Sequence, residues 1–458
     1  MCVPSTGSRG AAPRRSSRTA STTLPTTRAR RAITRGGTMA GAVVTPSRVR
    51  LAFVLGALIA LGPLTIDTYL PALPAVGRDL AAPGATVQLT LTGTLAGLAL
   101  GQLLIGPLSD AYGRRPLLLA GVALHVVASA LVTVAPTIEV LAVLRVLQGA
   151  GASAGTVVGL AIVRDLFTGR AAVGMVSRLM LVMGAAPVLA PTLGAGLLTW
   201  VSWRGVFLFL AAYGLVMLAV VTYGLPETLP PSRRRSARLG PTLRAYGTLL
   251  RDRTFVGLVL VAGFAMGALF SYISGGPYVF QEQFGIDQTT FGLLFGAGGV
   301  WLVVGSQLNP VLLRRLDPRQ VLSGGIAAAA VAGLVLLVVT TTGIGGLPAI
   351  LAALWTMLLA GGFAMPNAPA LALARHGDSA GTAAALLGAL QFGLGAATSP
   401  VVGLLGNDAT AMGTAMFASV ALAGLALVLV VRPWTLPDLR DRSTTRTTAD
   451  ASTGAGSR

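Results

Sequence analysis

Two ionisable residues stand inside otherwise apolar runs. Asp67 lies in Ile66-Asp67-Thr68-Tyr69-Leu70-Pro71, and Arg145 in Leu144-Arg145-Val146-Leu147-Gln148-Gly149. A charge in lipid-like surroundings costs roughly 2.5–3.5 kcal/mol even on lenient insertion scales, so each needs a partner or a task. A carboxylate can take up and release a proton, whereas a guanidinium keeps its charge and offers a fork of donors. At 1.5 Å of rise per residue the two fall at comparable depth in the outer half of a membrane. They can therefore pair, or exchange partners when a proton or cation arrives. The alternative is plainer: Asp67 caps a helix near the headgroups and Arg145 braces packing.

A second group is the polar break Gly106-Pro107-Leu108-Ser109-Asp110-Ala111-Tyr112-Gly113-Arg114-Arg115-Pro116. It separates apolar runs that are each about 20 residues long, enough to cross a bilayer core of roughly 30 Å as helix. The spacing predicts a tight turn, with Pro107 and Pro116 at helix boundaries and Gly106 and Gly113 relieving backbone crowding. Asp110 beside Arg114 and Arg115 adds an ion pair that a simple membrane anchor does not need. A third group, Gly184, Pro187, Pro191, Gly194 and Gly196, suits either a helix that packs differently in two states or tight static packing.

The elements that must carry these residues follow from composition. The 458 residues are 53% hydrophobic and only 11% charged, with 59 glycines; a soluble domain carries about 25% charged residues. Twelve apolar runs are expected, near 51–73, 85–106, 117–135, 140–163, 172–199 and 205–225, then 255–279, 290–313, 320–341, 347–370, 380–403 and 412–432. The fifth is long for one straight span, and its prolines offer a kink. This is an all-α integral membrane protein with two six-helix bundles, 50–225 and 254–432. A proline- and arginine-rich linker, 226–253, joins them. The halves echo each other: Gly101-Gln102-Leu103 answers Ser306-Gln307-Leu308, and Gly184-Ala185-Ala186 with Pro191 answers Gly395-Ala396-Ala397 with Pro400. Their shared order points to a duplicated bundle.

Net charge is +19, every basic residue being arginine. The arginines gather in the tails and in alternate loops: Arg114 and Arg115, Arg164 and Arg170, the run from Arg233 to Arg253, Arg314 to Arg319, and Arg375. The other loops hold only Arg78 and Arg204. That asymmetry predicts both termini and the linker in the cytoplasm and accounts for the charge without nucleic acid. Residues 1–49 and 433–458 read as disordered tails, and Met39 offers an alternative start. A single cysteine, Cys2, and two histidines, His125 and His376, argue against a disulfide scaffold or a metal site. No Walker A sequence is present. Tyr69, Gln148 and Tyr272 are candidates for facing an apolar substrate cavity, with Trp301, Phe291, Tyr278 and Phe280 as weaker ones.

These features together resemble the major facilitator superfamily. The loop motif is Gly106-x-x-x-Asp110-x-x-Gly113-Arg114-Arg115, and Arg145-x-x-Gln148-Gly149 is similar to the superfamily's span-four motif. More narrowly, Asp67-Thr68-Tyr69-Leu70-Pro71-Ala72-Leu73-Pro74, Arg164-Asp165 and Ser274-Gly275-Gly276-Pro277-Tyr278-Val279-Phe280 resemble the Bcr/CflA group of multidrug/proton antiporters. Gly184-Ala185-Ala186-Pro187-Val188-Leu189-Ala190-Pro191-Thr192-Leu193-Gly194 is similar to the span-five motif of antiporters. The resemblance covers residues 50 to 432. One departure is Ala111, where the family often has a basic residue, which implies a turn held less tightly.

The resemblance implies a non-enzymatic, monomeric transporter of the bacterial cytoplasmic membrane that works by alternating access. It would export amphiphilic drugs in exchange for protons, with the proton gradient as energy source and no cofactor. Asp67 and Arg145 would couple proton and drug. Gly106, Asp110, Gly113, Arg114, Arg115 and Arg164 would gate the cytoplasmic side, with the inner start of span eleven as a partner. Gly184, Pro187, Pro191 and Gly194 would form the antiporter helix. Two rivals remain from the residues: a proton-coupled uptake symporter for a small nutrient, and a membrane sensor without transport.

Overall fold

The computed structural model describes residues 48–234, 239–376 and 380–435. Most of both predicted tails, with Met39, and residues 235–238 of the linker lie outside the described residues. Twelve helices are long and apolar enough to cross a membrane, and no strand occurs among the described residues.

The first half comprises α1 (Arg48–Asp67), α2 (Leu73–Asp79), α3 (Gly84–Tyr112), α4 (Arg114–Val132), α5 (Ile138–Leu166), α6 (Gly169–Leu198) and α7 (Trp203–Gly224). A short linker helix, α8 (Leu239–Leu249), precedes the second half. That half comprises α9 (Arg253–Pro277), α10 (Gln288–Leu312), α11 (Pro318–Thr342), α12 (Gly346–Ala374), α13 (Ala380–Leu404) and α14 (Ala409–Leu425). Within the first half α5 packs on α3, α4 and α1, and α4 on α7; within the second, α12 packs on α10 and α11, and α9 on α13 and α14. Two contacts join the halves along their length, α3 with α13 and α6 with α10.

The apolar cores differ between the two ends of the bundle. At the end remote from the linker, one cluster unites both halves, from Tyr69, Leu95 and Phe207 to Tyr272, Phe291 and Met412. At the linker end each half has its own cluster, one around Leu55, Val122 and Met175, the other around Phe255, Leu322 and Leu386. Shared apolar area holds the halves together at the far end.

Two boundaries differ from the sequence reading. The helix of the second span runs through Pro107 to Tyr112, and the turn to α4 is the single residue Gly113 at φ 109°. Pro116 lies inside the first turn of α4. The first span is longer than 51–73: α1 ends at Asp67, and a 3-10 turn at Leu70–Ala72 and α2 extend it to Asp79. The fifth run is one helix, as expected, and continues through Pro187 and Pro191.

A proline inside a helix frees the carbonyl four residues earlier, and in lipid that carbonyl must find another donor. Two such carbonyls are used for tertiary contacts. Pro107 frees Leu103 O, which accepts from Tyr246 Oη of α8 at 3.4 Å. Pro400 frees Ala396 O, which accepts from Thr92 Oγ1 of α3, across the halves, at 3.2 Å.

Candidate functional site

The break in the first span places the site. Pro71 and Pro74 have no N–H for Asp67 O and Leu70 O, so the α-helical ladder stops at Asp67. The last carbonyls of α1 then lack helical donors. One of them, Thr65 O, accepts from Arg145 Nη1 of α5 at 3.0 Å. The same nitrogen donates to Gln148 Oε1 at 2.6 Å. Aromatic faces complete the nest, with Cζ 4.8 Å from the Tyr69 ring centroid and 5.4 Å from that of Phe207. Arg145 is fully buried, and its Nε and Nη2 have no hydrogen-bond partner.

Asp67 is also buried. The expected pairing with Arg145 is not seen: among the described residues no ion pair involves Asp67. Arg145 instead directs its Nη1 at the backbone carbonyl two residues earlier and at Gln148. With the first span extending to Asp79, Asp67 sits deeper than a headgroup cap.

Beyond Gln148 the polar chain continues. Gln148 Nε2 donates to Ser129 Oγ of α4 at 2.7 Å, and Ser129 Oγ donates to His125 O at 2.7 Å. The His125 ring is buried, with Nδ1 3.4 Å from Gln148 O. Tyr69 Oη lies 3.2 Å from Thr90 Oγ1 of α3.

At the linker end Arg114 is the hub. It pairs with Asp110 at 2.5 Å and, through Nε, with Asp165 at the end of α5 at 2.9 Å; Nη1 also donates to Ser109 Oγ at 2.7 Å. Glu227, just beyond α7, accepts from the backbone N–H groups of Arg114 and Arg115 at 3.0 and 3.3 Å. Gly113 is required by its positive φ, and a Cβ there would also push Glu227 Oε2 aside. Arg115 Nη2 donates to Thr222 O at 2.6 Å. The turn lacks a basic residue at Ala111, yet the linker binds it through Glu227. Arg164 is exposed and lies against Gly381, at the start of α13, with Nη1 3.2 Å from where a Cβ would stand. Gly106 has open room, its nearest side chain being Val157 at 3.8 Å from a Cβ.

The span-five glycines are not equivalent. A Cβ on Gly194 would collide with Thr68 O, at the break itself, whereas Gly196 meets nothing within 4 Å and Gly184 only Val303 at 3.8 Å. Buried Pro191 and half-buried Pro187 flank the face that packs on α10, where Thr192 Oγ1 donates to Gly292 O at 3.2 Å. Gly292, Gly296 and Gly299 of α10 let the backbones approach.

The three expected cavity residues are packed side chains. Tyr69 and Gln148 are fully buried in the Arg145 nest, and Tyr272 stacks on Phe295 at 4.4 Å, also buried. Tight burial in the shared far-end cluster explains this. An apolar cleft does occur in the second half, lined by Met357, Met365, Met416, Leu269, Leu302 and Val420.

Sequence reasoning missed Glu227, Ser129 and Phe207. Glu227 had a signal, being the only carboxylate among residues 226–251 of an arginine-rich linker. Ser129 and Phe207 had none, because a serine or phenylalanine in an apolar span is ordinary.

Residues 53–400 match the Major Facilitator Superfamily. An uncharacterised MFS-type transporter of Bacillus subtilis, YdgK, is 38% identical over 381 residues, 83% of this chain and 94% of that protein. A bicyclomycin resistance protein homologue of Haemophilus influenzae is 30% identical over 364 residues, 78% of this chain and 89% of that protein. Among solved structures, a D-xylose-proton symporter superposes with a TM-score of 0.65 at 17% identity, over 85% of this chain and 98% of that one.

Proposed function

Because the chain belongs to the major facilitator superfamily, we propose that this transporter exports amphiphilic drugs or other small toxic compounds in exchange for protons. The observation that carries the reading is the first-span break: Asp67 buried there without an ion-pair partner, in a chain similar to a bicyclomycin resistance homologue. A buried carboxylate is costly when charged, and proton uptake removes that cost. A compound bound mainly through apolar area tolerates the neutral form. Drug and proton then compete for the same rearrangement of the break, which is antiport.

The arginine asymmetry supports placing the linker and both termini in the cytoplasm of a bacterial cell. The shared far-end core then closes the outer face, and the separate cores lie on the inner face, an inward-facing arrangement for alternating access. Asp110, Arg114, Asp165 and Glu227 act as the inner gate, together with Gly106, Gly113, Arg115 and Arg164. The working unit is one chain in lipid, needing no cofactor besides the proton gradient.

The test is transport of a compound panel that includes bicyclomycin into inverted vesicles, with and without an imposed pH gradient. Gradient-dependent accumulation supports export. A second reading, proton-coupled nutrient uptake, has in its favour the fold likeness to a proton symporter. It predicts that an imposed inward-acidic gradient drives solute out of the same vesicles.

A further inference from the structure

We propose that Ser129 is a positioning residue for the Arg145 guanidinium, acting through Gln148. The inference rests on the proton-coupling role proposed above for the first-span break, whose end Arg145 holds through Thr65 O. The donor order is fixed at each link. Arg145 can only donate, so Gln148 must present Oε1 to it at 2.6 Å. The amide nitrogen then points away and finds Ser129 Oγ at 2.7 Å. Ser129 spends its own proton on His125 O at 2.7 Å, which leaves its lone pairs for Gln148.

Arg145, Gln148, Ser129 and His125 are all fully buried. Among the described residues no other hydrogen-bond acceptor aims the guanidinium, for Thr65 O and Gln148 Oε1 take Nη1 while Nε and Nη2 have none. Without the Ser129 hydroxyl, Gln148 Nε2 would be a buried donor lacking an acceptor, and rotating the amide would take Oε1 away from Arg145. Thr65 lies two residues before Asp67, so loosening Arg145 is felt at the break.

The backbone is built to hold this register. A Cβ on Gly151 of α5 would come within 2.6 Å of both Gly121 O and His125 N of α4, so the helices touch where Ser129 faces Gln148. On the other side, a Cβ on Gly214 of α7 would lie 3.1 Å from His125 Cδ2, so glycine there leaves the ring room.

The experiment compares Ser129→Ala, Gln148→Leu, their double variant and Arg145→Lys in proteoliposomes. It measures gradient-driven bicyclomycin turnover, bicyclomycin binding without a gradient, and thermal unfolding. Ser129→Ala should lower kcat by about tenfold, with KM and binding within about twofold. In the Gln148→Leu background, where the link is already cut, it should have no further effect. Ser129→Thr, which keeps the hydroxyl, should recover turnover. Additive losses in the double variant, or parallel losses of turnover and binding, would mean a purely structural serine and overturn the proposal. Parent-like turnover of Ser129→Ala beside an inactive Arg145→Lys overturns the positioning role and leaves the coupling reading intact. A fully active Arg145→Lys overturns the coupling reading itself, and the positioning role falls with it.

Discussion

Arg145 gives its Nη1 to the backbone carbonyl of Thr65 at 3.0 Å and does not pair with the carboxylate of Asp67. The arginine thus holds the broken end of the first span in place by satisfying a carbonyl the helix has abandoned. Among the described residues Asp67 has no salt bridge to break, which is what the proposed proton exchange requires.

Asp67→Asn should keep binding within about threefold for a compound that the vesicle assay shows to be exported, because apolar burial supplies most of that affinity. Gradient-driven transport should fall by about a hundredfold, the scale on which a positioned proton carrier acts. Drug-induced proton release from detergent-solubilised protein is the check. Parent-like release from the Asn variant would move the coupling site elsewhere.

Asp110→Asn keeps the side-chain shape and removes one of the two carboxylates on Arg114. Asp110 is partly exposed, so the loss should be about 1 kcal/mol, or several-fold in turnover, with normal membrane insertion. Arg114→Ala should cost more, because it strands Asp110 and Asp165 together. Glu227→Gln should resemble Asp110→Asn, since Glu227 binds the same turn through two backbone N–H groups. Kinetics of the three variants beside quantified expression decide this ordering.

Within the span-five motif, substitution by alanine should separate the glycines. Gly194→Ala forces the helix away from Thr68 O and should destabilise by roughly 1–3 kcal/mol. Gly196→Ala and Gly184→Ala have room and should be neutral or slightly stabilising, since alanine favours helix. Unfolding midpoints in detergent give the comparison; equal losses at all three would contradict the packing account.

Topology is checked with single cysteines in a Cys2→Ser background. Ser232→Cys, exposed in the linker, should react with an impermeant maleimide only in inverted vesicles. Ile344→Cys, exposed at the far end, should react only in intact cells. The reverse pattern would invert the transporter.

The sequence by itself determined the twelve spans, the two halves and the separation of basic from non-basic loops. Each follows from local quantities: the length of an apolar run, the position of a proline, the sign of a loop. Asp67, Arg145, Asp110 and Arg114 stood out in the sequence too, because they are charges where charge is expensive. The Asp110–Arg114 contact was legible as well, one helical turn apart, but the partner of Arg145 was not. Equal depth suggested that Arg145 meets Asp67, but depth fixes only one coordinate. The break at Asp67 created a closer acceptor at Thr65, and the glycine contacts of α4 with α5 set Ser129 opposite Gln148. Likewise Pro107 read as a helix boundary, although Tyr246, brought in from the linker, supplies a donor for the carbonyl it frees. Partners distant in sequence depend on how the helices pack, and only the tertiary structure decides that.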